Sequence, residues 1–162
     1  MDFVVGLPWT KRSYDFIWVF VYRLTKSARF IPVKSSYSAE DYARILLDEI
    51  VFRHGISLSI MSDWGAQFTS RFWRSFQKGL GTTVKLSPAF HPQMDCHLEC
   101  TIQTLEDMLR SCIIDFKGNW DKYFPLVEFS YNNSLHSSIF MAPYEALYGR
   151  RCRSPIKWFV VG

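Results

Sequence analysis

No run of apolar residues in this 162-residue chain is long enough to cross a bilayer. The longest, Phe16 to Tyr22, falls far short of the ~20 residues that a spanning helix needs. The start, Met1-Asp2, lacks the basic-then-apolar pattern of a signal peptide, so a reducing compartment is expected. Cysteine is scarce, with Cys96, Cys100, Cys112 and Cys152 only. In a reducing setting these four are expected as free thiols and not as a disulfide framework. Low-complexity runs and internal repeats are also lacking, which argues against linkers and solenoids. Charge of either sign is modest: 19 Lys and Arg against 15 Asp and Glu give a net +4. That balance permits nucleic-acid binding without demanding it.

What the chain has instead is apolar and aromatic surface. Hydrophobic residues make up 48% and aromatics 17%. This excludes disorder and, at this length, suits one domain around one core.

The first third reads as strands. Phe3-Val4-Val5 is short and apolar, and Gly6-Leu7-Pro8 ends it. Phe16 to Val21 is a continuous β-prone run, as expected of a strand covered on both faces. Ala28 to Val33 follows after a short turn, so the two runs are expected as antiparallel neighbours. The period then changes. Ser38 is a good N-cap with Asp41 three residues on; Tyr42, Ile45, Leu46 and Ile50 recur at helical spacing, and Gly55 can end the helix. Leu58 to Ser62 reads as a strand leading into Asp63. Phe68, Phe72, Phe76 and Leu80 lie four apart, an aromatic stripe expected in the core. Val84 to Ser87 is a further strand, and residues 88–96 have loop character. Helices are expected over about Leu98–Ile113, Trp120–Tyr131 (with Pro125 as a kink or late start) and Pro143–Leu147. The fold class this order implies is mixed α/β, one sheet flanked by helices. Trp9, Trp18, Trp73 and Trp158 stay open between core and interface.

Three carboxylates stand where folds tend to place chemistry. Asp2 is in the first strand, Asp63 follows the end of a later one, and Glu99 is in the first turn of a helix. Carboxylates are hard oxygen ligands suited to Mg²⁺ or Mn²⁺. A shared carboxylate with two flanking ones can hold two ions roughly 3.5–4 Å apart for in-line phosphoryl transfer. By spacing alone the signal is weak, because most triplets among 15 acidic residues are surface charges or caps. The pairs Cys96/Cys100 and His91/His97 fit no standard zinc-finger spacing.

Wording adds what spacing lacks. Residues 1–8 (Met-Asp-Phe-Val-Val-Gly-Leu-Pro) and 62–70 (Ser-Asp-Trp-Gly-Ala-Gln-Phe-Thr-Ser) resemble blocks of the integrase catalytic core of Gypsy-class LTR retrotransposons, in the retroviral-integrase-like superfamily. So do residues 91–99 (His-Pro-Gln-Met-Asp-Cys-His-Leu-Glu), 131–134 (Tyr-Asn-Asn-Ser) and 141–149 (Met-Ala-Pro-Tyr-Glu-Ala-Leu-Tyr-Gly). The resemblance implies a ribonuclease-H-like fold, a five-stranded mixed sheet flanked by helices. It implies that Asp2, Asp63 and Glu99 are catalytic and hold two Mg²⁺ (or Mn²⁺) ions; thirty-five residues separate the last two, as in the family. It also implies trimming of the 3′ ends of element DNA and their joining to target DNA. The partners implied are DNA and further copies of the chain, with no membrane, in the nucleus. Residues 1–150 are expected to form the core, with a truncated first strand that leaves the fold marginal, and 151–162 a basic extension toward a missing domain. Gln67, Lys78, Lys85, His91, Gln93, Arg110, Arg150, Arg151 and Arg153 are candidate DNA contacts; for any one of them ordinary surface charge is an equal reading.

Several positions depart from the family pattern. Tyr22 stands where aspartate is usual, Trp64 and Cys100 where arginine is usual, and Met94, Cys96, His97 and Leu98 interrupt the run before Glu99. Cys96 replaces a glycine, whose freedom at positive φ lets the loop bend. A Cβ there could misplace Glu99, and a shift near 1 Å can cost about a hundredfold in rate. Two other readings therefore stay open: a non-catalytic remnant that binds nucleic acid or protein, and a ribonuclease-H-type nuclease.

Overall fold

The computed structural model describes residues 1–62, 70–86, 103, 107–108 and 120–153, leaving aside the side chains of 71, 72 and 84–86. Five strands lie among them: β1 (Asp2–Val4), β2 (Phe16–Val21), β3 (Ala28–Val33), β4 (Ser59–Ser62) and β5 (Thr83–Leu86). The helices are α1 (Ala39–Leu46), α2 (Phe52–His54), α3 (Arg71–Gly79), α4 (Trp120–Asn133) and α5 (Pro143–Tyr148). A π-helical turn, Leu47–Val51, joins α1 to α2. None of the described helices is long and apolar enough to cross a membrane.

The strands form two ladders. β1, β2 and β3 make an antiparallel sheet in that order, with Asp2 opposite Val19 and Trp18 opposite Ile31. β4 and β5 pair in parallel, Ser62 opposite Leu86. The expected single five-stranded sheet is thus two ladders among the described residues. One backbone contact spans them: the Met1 amino group donates to the Met61 carbonyl at 2.7 Å.

Both faces of the antiparallel sheet are covered, which is why β2 reads as an unbroken apolar run. Trp18 and Phe20 point to one side, where Tyr42, Ala43 and Leu46 of α1 and Trp73 of α3 meet them. Ile17 and Val19 point to the other, against Trp120, Phe124, Val127 and Tyr131 of α4. Each fully buried large side chain contributes about 1.5–3 kcal/mol by removal from water. Rings add specific geometry: Phe3 stacks on Trp18 at 5.7 Å and Tyr42 meets Trp18 edge-on at 5.3 Å, arrangements worth about 0.5–1.5 kcal/mol each. Trp18 and Trp73 are therefore core. Of the expected aromatic stripe, Phe76 packs partly buried against this cluster, beside the fully buried Trp73 and Gln77 of α3, while Phe68 and the Phe72 side chain lie outside the described residues.

Helix boundaries follow their caps. The Ser38 hydroxyl accepts from the Asp41 N–H and the Asp41 carboxylate accepts from the Ser38 N–H. Those bonds hold the exposed Asp41 carboxyl below its usual pKa. Ser70 caps α3 by accepting from the Trp73 N–H at 3.2 Å, so this helix begins at Arg71. Pro125 lies inside α4, which starts at Trp120 and not after the proline. Pro143 opens α5, and Gly149 at φ 71° ends it, a conformation that only glycine adopts without strain. Of the helix expected over 98–113, Gln103, Asp107 and Met108 are helical; the rest lies outside the described residues.

The free edge of β3 is closed by side chains. Asn132, fully buried in α4, accepts from the Ala28 N–H and donates to the Ala28 and Glu128 carbonyls, each at 2.8 Å. Glu128 accepts from the Phe30 N–H at 2.9 Å. Pro32, next on the same edge, has no N–H to offer. An edge strand is thereby denied to a pairing neighbour.

Two tyrosines, Tyr42 fully and Tyr22 partly buried, make the fold sensitive to alkali. Burial raises Tyr22 to about 12 against a smaller opposing pull from Arg29. Burial, aided by Asp15, raises Tyr42 to about 12 as well. Both hydroxyls are raised above their unfolded value near 10, so their stabilising contribution is complete below pH 10 and is lost as pH rises through 12. The urea midpoint should fall between pH 10 and 12, and Tyr22→Phe with Tyr42→Phe should flatten that decline. An unchanged decline in the double variant would contradict the assignment.

Candidate functional site

Asp2 is the one member of the proposed carboxylate triad among the described residues. β1 holds it opposite Val19, half-buried. Its Oδ1 accepts from the N–H of Phe3 at 2.7 Å, which fixes the carboxylate against its own strand. Phe3 is in turn locked by Trp18 and Tyr42. The Met1–Met61 bond brings β1 beside β4, and β4 ends at Ser62, the residue before Asp63. Adjacent strands lie about 4.8 Å apart. Asp2 is therefore close to the end of the strand that leads into Asp63.

Asp63 and Glu99 themselves lie outside the described residues, as do Gln67, His91, Gln93 and Arg110. Among the described residues no group of three His, Cys, Asp or Glu side chains could hold a metal ion. Lys78 is exposed in the last turn of α3, and Lys85 is on β5. Arg150, Arg151 and Arg153 are exposed after α5, with Arg151 Nε 3.1 Å from Glu145.

Of the departures from the family pattern, only Tyr22 is described. Its ring lies 4.7 Å from that of His54, and its buried hydroxyl has no hydrogen-bond partner among the described residues. Such an unsatisfied group costs about 1–3 kcal/mol. Burial, then Arg29 and Arg53, lowers the His54 pKa, so the imidazole is held toward its neutral form. Sequence reasoning missed the ion network beside this pair. Arg29 bonds Glu49 at 2.6 Å and also Glu128. Burial opposes its charge, but these two carboxylates outweigh burial and raise its pKa. No periodicity marks such a group, since its members come from β3, the π-helical turn and α4.

No protein-family profile matches the chain. It is 33% identical over 148 residues, 91% of its length, to the Tf2-3 and Tf2-4 transposon polyproteins of Schizosaccharomyces pombe. It spans 11% of the length of each. Among solved structures it superposes on the catalytic core domain of BIV integrase with a TM-score of 0.67, at 21% identity, covering 91% of this chain and 94% of that one. The HTLV-2 integrase catalytic core domain, in complex with magnesium, gives 0.66 at 15% identity, covering 90% and 93%. A simian T-cell lymphotropic virus intasome chain gives 0.73 at 15% identity, covering 94% and 55%. The chain is a relative of the Tf2 (Gypsy-type) transposon polyproteins. Its fold is the ribonuclease-H-like α/β fold of retroviral integrase catalytic cores.

Proposed function

We propose that this chain is the catalytic core of a DNA integrase, a metal-dependent polynucleotidyl transferase that trims the 3′ ends of element DNA and joins them to target DNA. The observation that carries this reading is the Asp2 carboxylate, fixed by the Phe3 N–H on β1, beside the strand that ends at Ser62. In this reading residues 1–150 form the core and 151–162 a basic extension. β4 and β5 continue the sheet beyond β1 to make one five-stranded mixed sheet.

Asp2, Asp63 and Glu99 form the catalytic and metal-binding set. An all-carboxylate oxygen set fits Mg²⁺ or Mn²⁺ better than softer metals. Two such ions, when bound, supply an activated hydroxyl and stabilise the leaving oxygen. The chain's own task is positional. Asp2 presents its carboxylate from a rigid strand, and Asp63 and Glu99 complete the set from a strand end and a helix start. Trimming is attack of a water oxygen on phosphorus with departure of a 3′-oxygen. Joining is attack of that 3′-hydroxyl on a target phosphodiester with departure of the target's 3′-oxygen. No enzyme group is covalently modified. Lys78, Lys85, Arg110, Arg150, Arg151 and Arg153, with Gln67, His91 and Gln93, are candidate contacts to DNA. The active form is a homo-oligomer in the nucleus.

The test is divalent-metal-dependent nicking of a labelled duplex that ends in the element's terminal sequence. Nicking with Mn²⁺ that stops in EDTA and in Asp2→Asn supports the reading. Metal-dependent DNA binding without nicking, in folded protein, favours the non-catalytic remnant that Tyr22 and the changes at Trp64, Cys96 and Cys100 motivate.

A further inference from the structure

The loop between β1 and β2 presents an aromatic side chain to solvent on a rigid frame. Trp9 is 66% exposed and Val5 59%. The loop around them is held. The Pro8 carbonyl accepts from the buried indole N–H of Trp120 at 2.8 Å. Thr10, buried at the loop's centre, donates its N–H to the Tyr14 carbonyl, and its hydroxyl accepts from the Tyr14 N–H, both at 3.0 Å. The Thr10 carbonyl accepts from Ser13, whose φ of 62° closes the turn. Leu7 and Tyr14 pack on the core formed with α4. Among the exposed residues of the loop are Val5, Trp9, Lys11 and Arg12. Arg12 keeps its own side chain 68% exposed while its Nε lies 3.7 Å from the buried carboxylate of Asp121.

We propose that residues 5–15 form a DNA contact in which the Trp9 indole stacks on an exposed base face, at a duplex end or unpaired nucleotide, while Lys11 and Arg12 hold the adjoining phosphates. The inference rests on the integrase reading of Asp2 and adds a substrate-holding element to it. Two physical features favour nucleic acid as the occupant. An aromatic platform flanked by cations is the chemistry that holds bases without reading sequence. The loop also leaves β1 at Val5, three residues after Asp2, about 10 Å along a strand. That distance is about three base pairs at 3.4 Å each, so the loop begins within a few base pairs' length of Asp2. The loop is ordered before binding, so little conformational freedom is lost when it stacks.

The experiment is fluorescence anisotropy of the full chain with labelled DNA, blunt or with a short unpaired overhang, in EDTA and over a range of salt. Trp9→Ala should weaken overhang binding at least fivefold, and Trp9→Phe should restore most of it. Lys11→Ser with Arg12→Ser should lower the salt slope by about two. Circular dichroism should show each variant folded, since these side chains face solvent. Unchanged affinity in Trp9→Ala, or no binding by the parent chain, overturns the proposal, the former pointing to a protein partner for this loop. The integrase reading fails separately: a parent chain that binds through Trp9 but never nicks DNA refutes that reading and leaves the contact standing.

Discussion

Replacing Asn132 by alanine should remove about 3–5 kcal/mol from the stability of this fold. The side chain is fully buried and makes three hydrogen bonds, two of them to the N–H and C=O of Ala28 on the edge of β3. Alanine restores none of them. Ala28 is itself buried, so water does not reach the abandoned groups easily. Each buried group left unsatisfied costs about 1–3 kcal/mol, and the vacated volume adds a packing term. Against the 5–15 kcal/mol that stabilises an ordinary domain, one substitution becomes decisive. Chemical denaturation measures it directly. Leu126→Ala, on the exposed side of the same helix, serves as the control and should change the midpoint little. A loss below about 1 kcal/mol for Asn132→Ala would mean that α4 does not clamp this edge.

The second large effect falls on chemistry and spares the fold. Asp2→Asn should reduce DNA nicking about a thousandfold or more, the several kcal/mol that metal-assisted charge stabilisation contributes to such a transition state. Asparagine keeps a carbonyl oxygen that can accept from the Phe3 N–H as Asp2 Oδ1 does. It lacks the negative charge that a divalent ion requires. The urea midpoint should therefore stay close to that of the parent while activity disappears. A variant that loses both together would show that Asp2 is chiefly structural.

Much of this architecture was legible from periodicity. The unbroken apolar run of β2 announced a strand buried on both faces, and the structure covers it with Tyr42 and Trp73 on one side and Trp120 and Phe124 on the other. The Ser38–Asp41 box and Gly55 marked helix ends that the structure reproduces. Trp73 was harder, open between core and interface in the sequence, and the structure buries it fully against Trp18. The Arg29 network and the Asn132 clamp were invisible for a different reason. Each depends on which strand lies at the sheet edge and which helix crosses it, and no local pattern encodes that. The exposure of Trp9 was likewise undecidable from composition, since an indole serves equally in a core or at an interface. The proposed triad rests only on the wording of its flanking blocks, since three acidic residues among 15 carry little information by themselves.

The most direct test of the integrase account is joining of a labelled DNA end to a circular plasmid with Mn²⁺, run on this chain and on its Glu99→Gln variant in parallel. The account predicts joined product from the parent chain and none from the variant, with both proteins giving the same far-ultraviolet spectrum. Joined product of equal yield from both would contradict it, because the third carboxylate would then take no part in the chemistry.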